Sequence, residues 1–193
     1  MDIGEYYHIY NRGVDKRKTF LDASDYHRFL SFIQRSKFHI QTGKQMVNFH
    51  VYACMTNHFH FLIEQLLDGG ITQFMHRLST SYTRFFNRKY KRTGALFEAR
   101  YKAKLVHNDA YLSVVASYIH RNPLELPGIK NLHDLTRYPW SSYSHYCGNS
   151  QDLLIDDEIF WDLFCAPNGT AAFHDNRFIG FEDFHEDDNK LNS

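Results

Sequence analysis

The chain has 193 residues, of which 43% are hydrophobic and 17% aromatic, and its formal net charge is zero. This composition is typical of one globular domain with a substantial core. The three cysteines are widely spaced and form no Cys-x-x-Cys pair, which argues against a disulfide scaffold and a cysteine zinc site. We find no signal peptide and no apolar run close to the roughly 20 residues of a membrane span, so we expect a cytoplasmic protein that does not contact a membrane.

The charges are unevenly distributed along the chain. Residues 1–150 contain 20 Lys and Arg against 11 Asp and Glu, whereas residues 151–193 contain 2 against 11. A basic body is typical of a protein with a polyanionic partner, although an ordinary solvated surface is the alternative. We therefore predict a domain over residues 1–150 and an acidic, partly flexible C-terminal extension over residues 151–193.

Hydrophobic periodicity predicts four strands and three helices. The strands alternate apolar and polar residues, and the helices repeat apolar residues with a period near 3.6. In chain order these are a strand over residues 6–12, a helix after Asp22, strands over 47–55 and 58–64, a helix spanning Ile71 to Phe86, a strand over 100–107, and a helix from Asn108 or Asp109 to just before Pro123.

This β-α-β-β-α-β order predicts an α+β fold, a ferredoxin-like split βαβ antiparallel sheet followed by an additional helix. One sheet face is apolar and suited to the two helices; we place Val51 and Ala53 there. We expect the opposite face to be open, and its aromatic, imidazole and basic side chains are suited to single-stranded nucleic acid. These residues are Tyr6, His8, Tyr10, Arg12, His50, Tyr52, His58, His60, Lys102 and Lys104.

The stretch "CMTNHFHFLIE" (54–64) contains two histidines one residue apart. On a strand, His58 and His60 point to the same face. A histidine pair alone is weak evidence, since strand histidines commonly bind the backbone or neighbouring side chains. Neutral imidazole is nevertheless the commonest side-chain metal ligand, and a working metal site would need a third protein ligand.

The third predicted helix contains a candidate for that ligand. In "YLSVVASYIHRNP" (111–123), Tyr118 and Asn122 lie four residues apart and therefore on one face. Tyr118 could simply be a packing residue, with Asn122 ending the helix before Pro123. Alternatively, Asn122 completes a metal site and Tyr118 beside it is a covalent nucleophile.

Five segments, taken together in order and spacing, resemble the single-tyrosine HUH-type transposases of insertion sequences (the IS200-like family), and specifically the REP-associated tyrosine transposases. They are "YYHIYNRGVDKRKTFLDASDYHRFL" (6–30), "CMTNHFHFLIE" (54–64), "RTGALFEARYKAKLV" (92–106), "YLSVVASYIHRNP" (111–123) and "YPWSSY" (138–143). The resemblance covers about residues 6–146.

The resemblance implies a role for each candidate residue. His58 and His60 match the histidines that hold a divalent cation, Mg²⁺ or Mn²⁺, and Asn122 matches the third ligand. Tyr118 matches the tyrosine that attacks a DNA phosphate. The implied activity is cleavage and rejoining of single-stranded DNA beside hairpins of repetitive extragenic palindromes, through a 5′-phosphotyrosine that leaves a free 3′-OH. The implied setting is the bacterial cytoplasm, with the protein a monomer or homodimer.

Basic residues outside the predicted site are candidates for binding the DNA backbone, although part of this set could be an ordinary solvated surface. They are Arg12, Arg84, Arg88, Lys89, Lys91, Arg92, Arg100, Lys102, Lys104 and Arg121.

Three other functions are compatible with the same residues. The first is a catalytically silent protein that binds hairpin DNA or RNA. The second is an RNA-binding sheet of the RRM type, although no strand has the glycine-and-aromatic pattern of that fold. The third is a metal hydrolase that uses water at the histidine pair, which predicts no covalent adduct between protein and DNA.

Overall fold

The structure is a computed structural model that describes residues 1–156. Its elements follow the predicted order, and their bounds are β1 (Tyr6–Arg12), α1 (Ala23–Ser36), β2 (Val47–Cys54), β3 (His58–Gln65), α2 (Gly70–Lys89), β4 (Lys102–Val106), α3 (Asp109–Arg121), α4 (Leu132–Leu135) and α5 (Tyr143–Tyr146). Most of the predicted acidic extension, residues 157–193, lies outside the described residues. Its division from the rest of the chain stays a prediction.

The four strands form one antiparallel sheet with the order β2-β3-β1-β4. This is the spatial order of a ferredoxin-like split βαβ fold, in which the first and third strands lie side by side at the centre. The predicted fold class is confirmed. Because β3 and β1 are central, the histidine strand has a hydrogen-bonded neighbour on each side.

The main core lies between one sheet face and the helices α1 and α2. Phe59 and Phe61 of β3 and Phe29 of α1 are fully buried there, and each such ring stabilises the fold by about 1.5–3 kcal/mol relative to an exposed one. Close packing constrains the start of α2, because a Cβ on Gly70 would lie 2.5 Å from the Met46 carbonyl oxygen.

The opposite sheet face is covered, which differs from the expectation of an open face. The helix α3 packs across β2, β3 and β4, and the imidazoles of His8, His58 and His60 are buried beneath it. Because the sequence pattern leaves this face without a long apolar stripe, its covering was not evident from periodicity. The rings of this face therefore do not form an exposed stacking platform of the RRM type.

A bulge in β2 also overturns one predicted orientation. The register of β2 against β3 shifts between Phe49 and Val51, so that Tyr52 pairs with Phe61 and Ala53 pairs with His60. Cross-strand partners share a face. Tyr52 therefore lies on the core face, where its ring stacks on Phe49 at 5.7 Å. Val51 and Ala53 face α3 instead.

The segment after α3 returns to cover the outer edge of β2. The Trp140 carbonyl accepts a hydrogen bond from the Cys54 amide at 2.8 Å, and the Trp140 ring stacks on Tyr26 with 4.5 Å between centroids. Further along, the Asp156 carboxylate accepts a hydrogen bond from the Phe49 amide at 2.8 Å. The edge strand is thus paired within the chain rather than open to other strands. Within residues 1–156, no helix combines the length and apolarity that crossing a membrane requires.

A polar cluster joins the start of α1 to the end of α2. Asp22 and Asp25 form a capping box at the start of α1. The Lys89 ammonium lies 2.8 Å from Asp22 and 2.7 Å from the fully buried Asp25. The Lys89 hydrogen bond is the largest of the causes that lower the pKa of Asp22. Lys89, predicted to bind DNA, therefore already balances two carboxylates.

We predict that Lys89→Met lowers the free energy of unfolding by about 1–3 kcal/mol, because it removes the cation that compensates a buried carboxylate. The neighbouring Arg88 is exposed, so Arg88→Met should change stability by no more than about 0.5 kcal/mol. Urea unfolding at pH 7 measures both. The difference in stability between the two variants should narrow below pH ~4, since the Asp22 carboxyl, whose pKa Lys89 lowers in the folded protein, stabilises the fold only while it is ionised. Equal stabilities at pH 7 would contradict this account.

Candidate functional site

The site begins at the tight turn that leads into the histidine strand. The Met55 amide donates to the His58 carbonyl at 2.8 Å, which closes the turn. The Gly13 amide, just beyond β1, donates to the Asn57 carbonyl at 2.8 Å. A Cβ on Gly13 would lie 2.2 Å from the Arg17 carbonyl oxygen, so only glycine fits this close approach. These backbone contacts hold Asn57, the residue before His58, in a fixed position.

Asn57 also fixes the orientation of the His58 ring. Its side-chain oxygen lies 2.7 Å from Nδ1 of His58. Because a carboxamide oxygen only accepts hydrogen bonds, Nδ1 is the donor. In the neutral imidazole the lone pair then resides on Nε2, which is the nitrogen available to a metal ion.

The second histidine lies beside the first on the same face. The ring centroids of His58 and His60 are 5.1 Å apart, and the rings are nearly perpendicular. Tyr10 lies opposite His60 in the strand pairing and stacks on it with 5.6 Å between centroids. Nδ1 of His60 is 2.9 Å from Nε2 of His8, and either ring could donate that hydrogen bond.

Burial keeps these imidazoles neutral at physiological pH. It lowers the pKa of His58 to about 4; a hydrogen bond with Asn122 opposes this shift and the charge of Arg12 adds to it. Burial also lowers the pKa of His60 well below its ordinary value, helped by the neighbouring histidines His58 and His8. Neutral imidazole is the form that binds metal ions.

Helix α3 places both of its candidate residues over the histidines. Asn108 caps the start of the helix, and its side chain accepts a hydrogen bond from the Tyr111 amide at 2.8 Å. Ten residues further along the chain, the Tyr118 ring meets His60 edge-on with 5.7 Å between centroids and is 8% exposed. Asn122 donates through Nδ2 to the Tyr118 carbonyl at 3.0 Å.

The Asn122 side chain also contacts His58, which makes the site suited to a cation. The hydrogen bond of Asn122 with His58 raises the pKa of His58, which is the effect of a carboxamide oxygen that accepts from the protonated ring. Nδ1 of His58 is used by Asn57, so Nε2 is the nitrogen that faces Asn122. In neutral His58 two lone pairs then converge, and a cation bound by both would satisfy them.

The structure thus brings together His58, His60, Tyr118 and Asn122, as the sequence predicts; their roles stay predictions. Within residues 1–156, no group of three or more His, Cys, Asp or Glu side chains is placed to hold a metal ion. A three-ligand site at the histidine pair therefore depends on the amide oxygen of Asn122.

The predicted DNA-binding residues divide by their surroundings. Arg12, opposite His58 in the strand pairing, forms an ion pair with Glu98 at 2.9 Å. Arg84 and Arg100 line a cavity of about 540 Å³ between α2 and residues 95–101, with hydroxyl side chains of α2 along one wall. Arg88 and Lys91 are exposed on the protein surface.

The other basic residues lie near aromatic rings or carbonyl groups. Arg92 donates to Asn87 at 2.6 Å and to the Ala95 carbonyl at 3.1 Å. Lys102 lies over the Tyr10 ring at 5.6 Å, and Lys104 is paired with His8 across β1 and β4. Arg121 is half-buried near Tyr143.

Two residues that contact the site were given no role by the sequence, Asn57 beside His58 and Glu98, which pairs with Arg12. A third, His8, was expected on an open face for nucleic acid, whereas it is buried against His60. Asn57 directly precedes the first histidine, which is a local signal for a ring partner. His8 and Glu98 are distant in sequence from their partners, so only strand pairing and loop packing reveal them.

Comparisons with known proteins bear on the family and the fold of the chain. Residues 4–122 match the family model described as "Transposase IS200 like". No curated protein matches the chain. A solved structure described as "Structure of the REP associates tyrosine transposase bound to a REP hairpin" matches with a TM-score of 0.54 and 10% sequence identity. The match covers 79% of this chain and 85% of that chain, and at this identity it shows a shared fold.

We predict that His58 titrates with a pKa of about 4 in the metal-free protein. Asn122→Ala should lower this pKa further, because it removes a hydrogen bond that favours protonated His58. Arg12→Gln should raise it by removing a nearby positive charge. Proton NMR of the histidine ring protons between pH 3 and 8 measures each variant. A midpoint near the ordinary value in the wild type would mean that α3 does not cover the ring.

Proposed function

Because the chain belongs to the family of IS200-like transposases, whose model matches residues 4–122, we propose that it is a metal-dependent single-stranded DNA endonuclease and strand transferase. We propose DNA hairpins of the REP type as its substrate. The solved transposase that shares this fold is bound to a REP hairpin, which supports that choice.

One observation carries the proposal. The site lies between α3 and β3, two elements that are distant in sequence. It combines a tyrosine and an asparagine from the end of α3 with two neutral histidines from β3. The edge of the Tyr118 ring meets His60, and Asn122 joins the tyrosine backbone to His58. A packing tyrosine needs none of these contacts, whereas a tyrosine nucleophile needs a phosphate-activating group beside it.

In the proposed reaction, the Tyr118 oxygen attacks the phosphorus of a DNA phosphodiester. The bond from phosphorus to the 3′ oxygen breaks, the phenolic proton is lost, and the departing oxygen takes up a proton to become a 3′-OH. The 5′ phosphate remains on Tyr118 as a phosphotyrosine ester. A 3′-OH can later attack this ester and restore a phosphodiester, so no nucleotide cofactor is required.

His58, His60 and Asn122 are the residues that would hold a divalent cation, and their neutral nitrogen and oxygen donors fit Mg²⁺ or Mn²⁺. When bound, such a cation withdraws charge from a nonbridging phosphate oxygen and offsets the charge that develops in the transition state. Asn122 holds the end of α3 beside His58, so the same residue orients Tyr118 toward the phosphate.

The surroundings of the site supply contacts for DNA. Lys102 and Lys104 on the edge strand β4 lie close to Tyr10 and His8. Across the sheet, Arg84 and Arg100 line the cavity between α2 and residues 95–101. We propose that unpaired DNA beside the hairpin occupies this cavity, with its phosphates on the two arginines.

A catalytically silent hairpin-binding protein is the second candidate, and the burial of Tyr118 favours it. With 8% of its surface exposed, the tyrosine would have to become more accessible before a phosphate could reach it. The two functions differ in one observable, the covalent adduct between protein and DNA.

We predict that the wild type forms a covalent adduct with a hairpin oligonucleotide in the presence of Mn²⁺ or Mg²⁺. The oligonucleotide comes from palindromic repeats of the source genome and carries a label at its 3′ end. Tyr118→Phe should abolish the adduct and keep hairpin binding. His58→Ala should reduce it by at least about 10²-fold, the usual size of a lost electrostatic contribution in catalysis. Denaturing gels measure the adduct.

The position of the label separates the mechanisms. A 5′-labelled oligonucleotide should release a free fragment ending in 3′-OH and leave no labelled protein. Cleavage of either substrate without an adduct would indicate attack by water. Hairpin binding without cleavage, over a panel of repeat sequences, would support the silent binder. An adduct that persists in Tyr118→Phe would refute the proposed nucleophile.

We predict that the double variant Arg84→Ala, Arg100→Ala binds the hairpin with its single-stranded flank more weakly and with a shallower salt dependence. Each lost phosphate contact should reduce the slope of log K against log salt by about 0.7. Fluorescence anisotropy over a salt series measures this. Lys44→Ala is the matched control, since Lys44 is exposed in the loop before β2, at the far edge of the sheet from β4. A slope equal to that of the control would exclude the cavity as a phosphate site.

A further inference from the structure

Another buried histidine of the same face, His8, lies against the proposed metal ligand His60. The two rings are 5.2 Å apart between centroids and nearly parallel, and Nε2 of His8 is 2.9 Å from Nδ1 of His60. Both side chains are buried, at 2% and 1% exposure. Bulk water therefore does not compete for this hydrogen bond.

This hydrogen bond has two possible arrangements with opposite chemical consequences. If Nδ1 of His60 donates to His8, the lone pair of neutral His60 lies on Nε2. If Nε2 of His8 donates instead, the proton of His60 lies on Nε2 and that nitrogen cannot bind a cation. His8 thus determines whether His60 can serve as a ligand.

The two histidines differ in how their protons are fixed. Asn57 offers His58 an oxygen that only accepts, so the tautomer of His58 is determined by the side chain beside it. His60 has a partner that can accept or donate. Tyr10 stacks on both His8 and His60, with centroid distances of 5.0 Å and 5.6 Å, and keeps the two rings in register.

We propose that His8 is a positioning residue. It accepts the Nδ1 hydrogen of His60 and thereby presents the Nε2 lone pair of His60 to the divalent cation. This inference rests on the proposed function, in which His60 is a metal ligand, and it extends that function to a residue of β1. His8 does for His60 what Asn57 does for His58.

The test compares Mn²⁺ affinity in three forms of the full chain. His8→Phe keeps a ring but has no acceptor, and the loss of such a ligand-orienting partner should weaken Mn²⁺ binding about 10–100-fold. His8→Gln offers an amide oxygen near the position of Nε2 and should restore most of the affinity. Electron paramagnetic resonance of free Mn²⁺ measures the dissociation constants, and circular dichroism confirms that each variant is folded.

A matched control separates positioning from packing. His120 is another buried histidine, on α3, with Nε2 2.8 Å from the Ser142 hydroxyl. His120→Phe should lose a comparable buried hydrogen bond and leave Mn²⁺ affinity unchanged. In adduct formation, saturating Mn²⁺ should recover the activity of His8→Phe and should not recover that of Tyr118→Phe.

Nitrogen-15 NMR of metal-free wild type decides the question if His8→Phe fails to fold. The proposal requires the His60 proton on Nδ1; a proton on Nε2 would overturn it. Wild type that binds no Mn²⁺ refutes the proposed function. Wild type that binds Mn²⁺ while folded His8→Phe binds it equally well refutes the role of His8 alone and leaves the proposed function intact.

Discussion

The antiparallel pairing of β1 with β3 is the constraint on which the site depends. It sets Tyr10 opposite His60 and Arg12 opposite His58, and it brings His8 diagonally beside His60. Side chains alternate between faces along a strand, so a shift of one residue would turn both site histidines toward the α1 and α2 core and send core phenylalanines the other way. The core and the candidate site therefore require the same register, and the apolar packing that stabilises one also specifies the other.

Covering the histidine face has a thermodynamic cost that depends on pH. Burial lowers the pKa of His8 to about 3, that of His58 to about 4 and that of His60 well below its ordinary value. The unfolded chain binds protons on these rings below about pH 6.5, whereas the folded chain does not until the pH falls further. Above pH ~6.5 these histidines are neutral in both the folded and the unfolded chain and do not reduce the free energy of unfolding. On acidification the unfolded chain takes up protons that the folded chain does not, so the free energy of unfolding falls. At neutral pH His8, His58 and His60 are therefore uncharged, as a site for a cation requires.

Much of the fold and the set of candidate residues could be predicted from local sequence. Element order follows from periodicity, and spacing places His58 with His60 and Tyr118 with Asn122. Other features depend on contacts between distant segments: the bulge that turns Tyr52 to the core, the covering of the sheet by α3, and the pairing of Lys89 with two aspartates. Periodicity describes which face of an element is apolar. It does not describe what packs on the other face, because that depends on tertiary contacts far along the chain.

The hydrogen bonds of Asn122 connect the end of α3 to β3. Its backbone amide bonds to the carbonyls of Tyr118 and Ile119 where the helix ends, and its side chain reaches His58. Displacing α3 from the sheet would therefore move Tyr118 away from His60. The same motion would move Asn122 away from His58 and break up the proposed set of metal ligands. Thermodynamic linkage then requires that any ligand bound through Asn122 and the histidines favours the docked helix, by the same factor with which docking raises affinity for that ligand. Docking of α3 on the sheet and binding of a ligand at the site are therefore thermodynamically coupled in this fold.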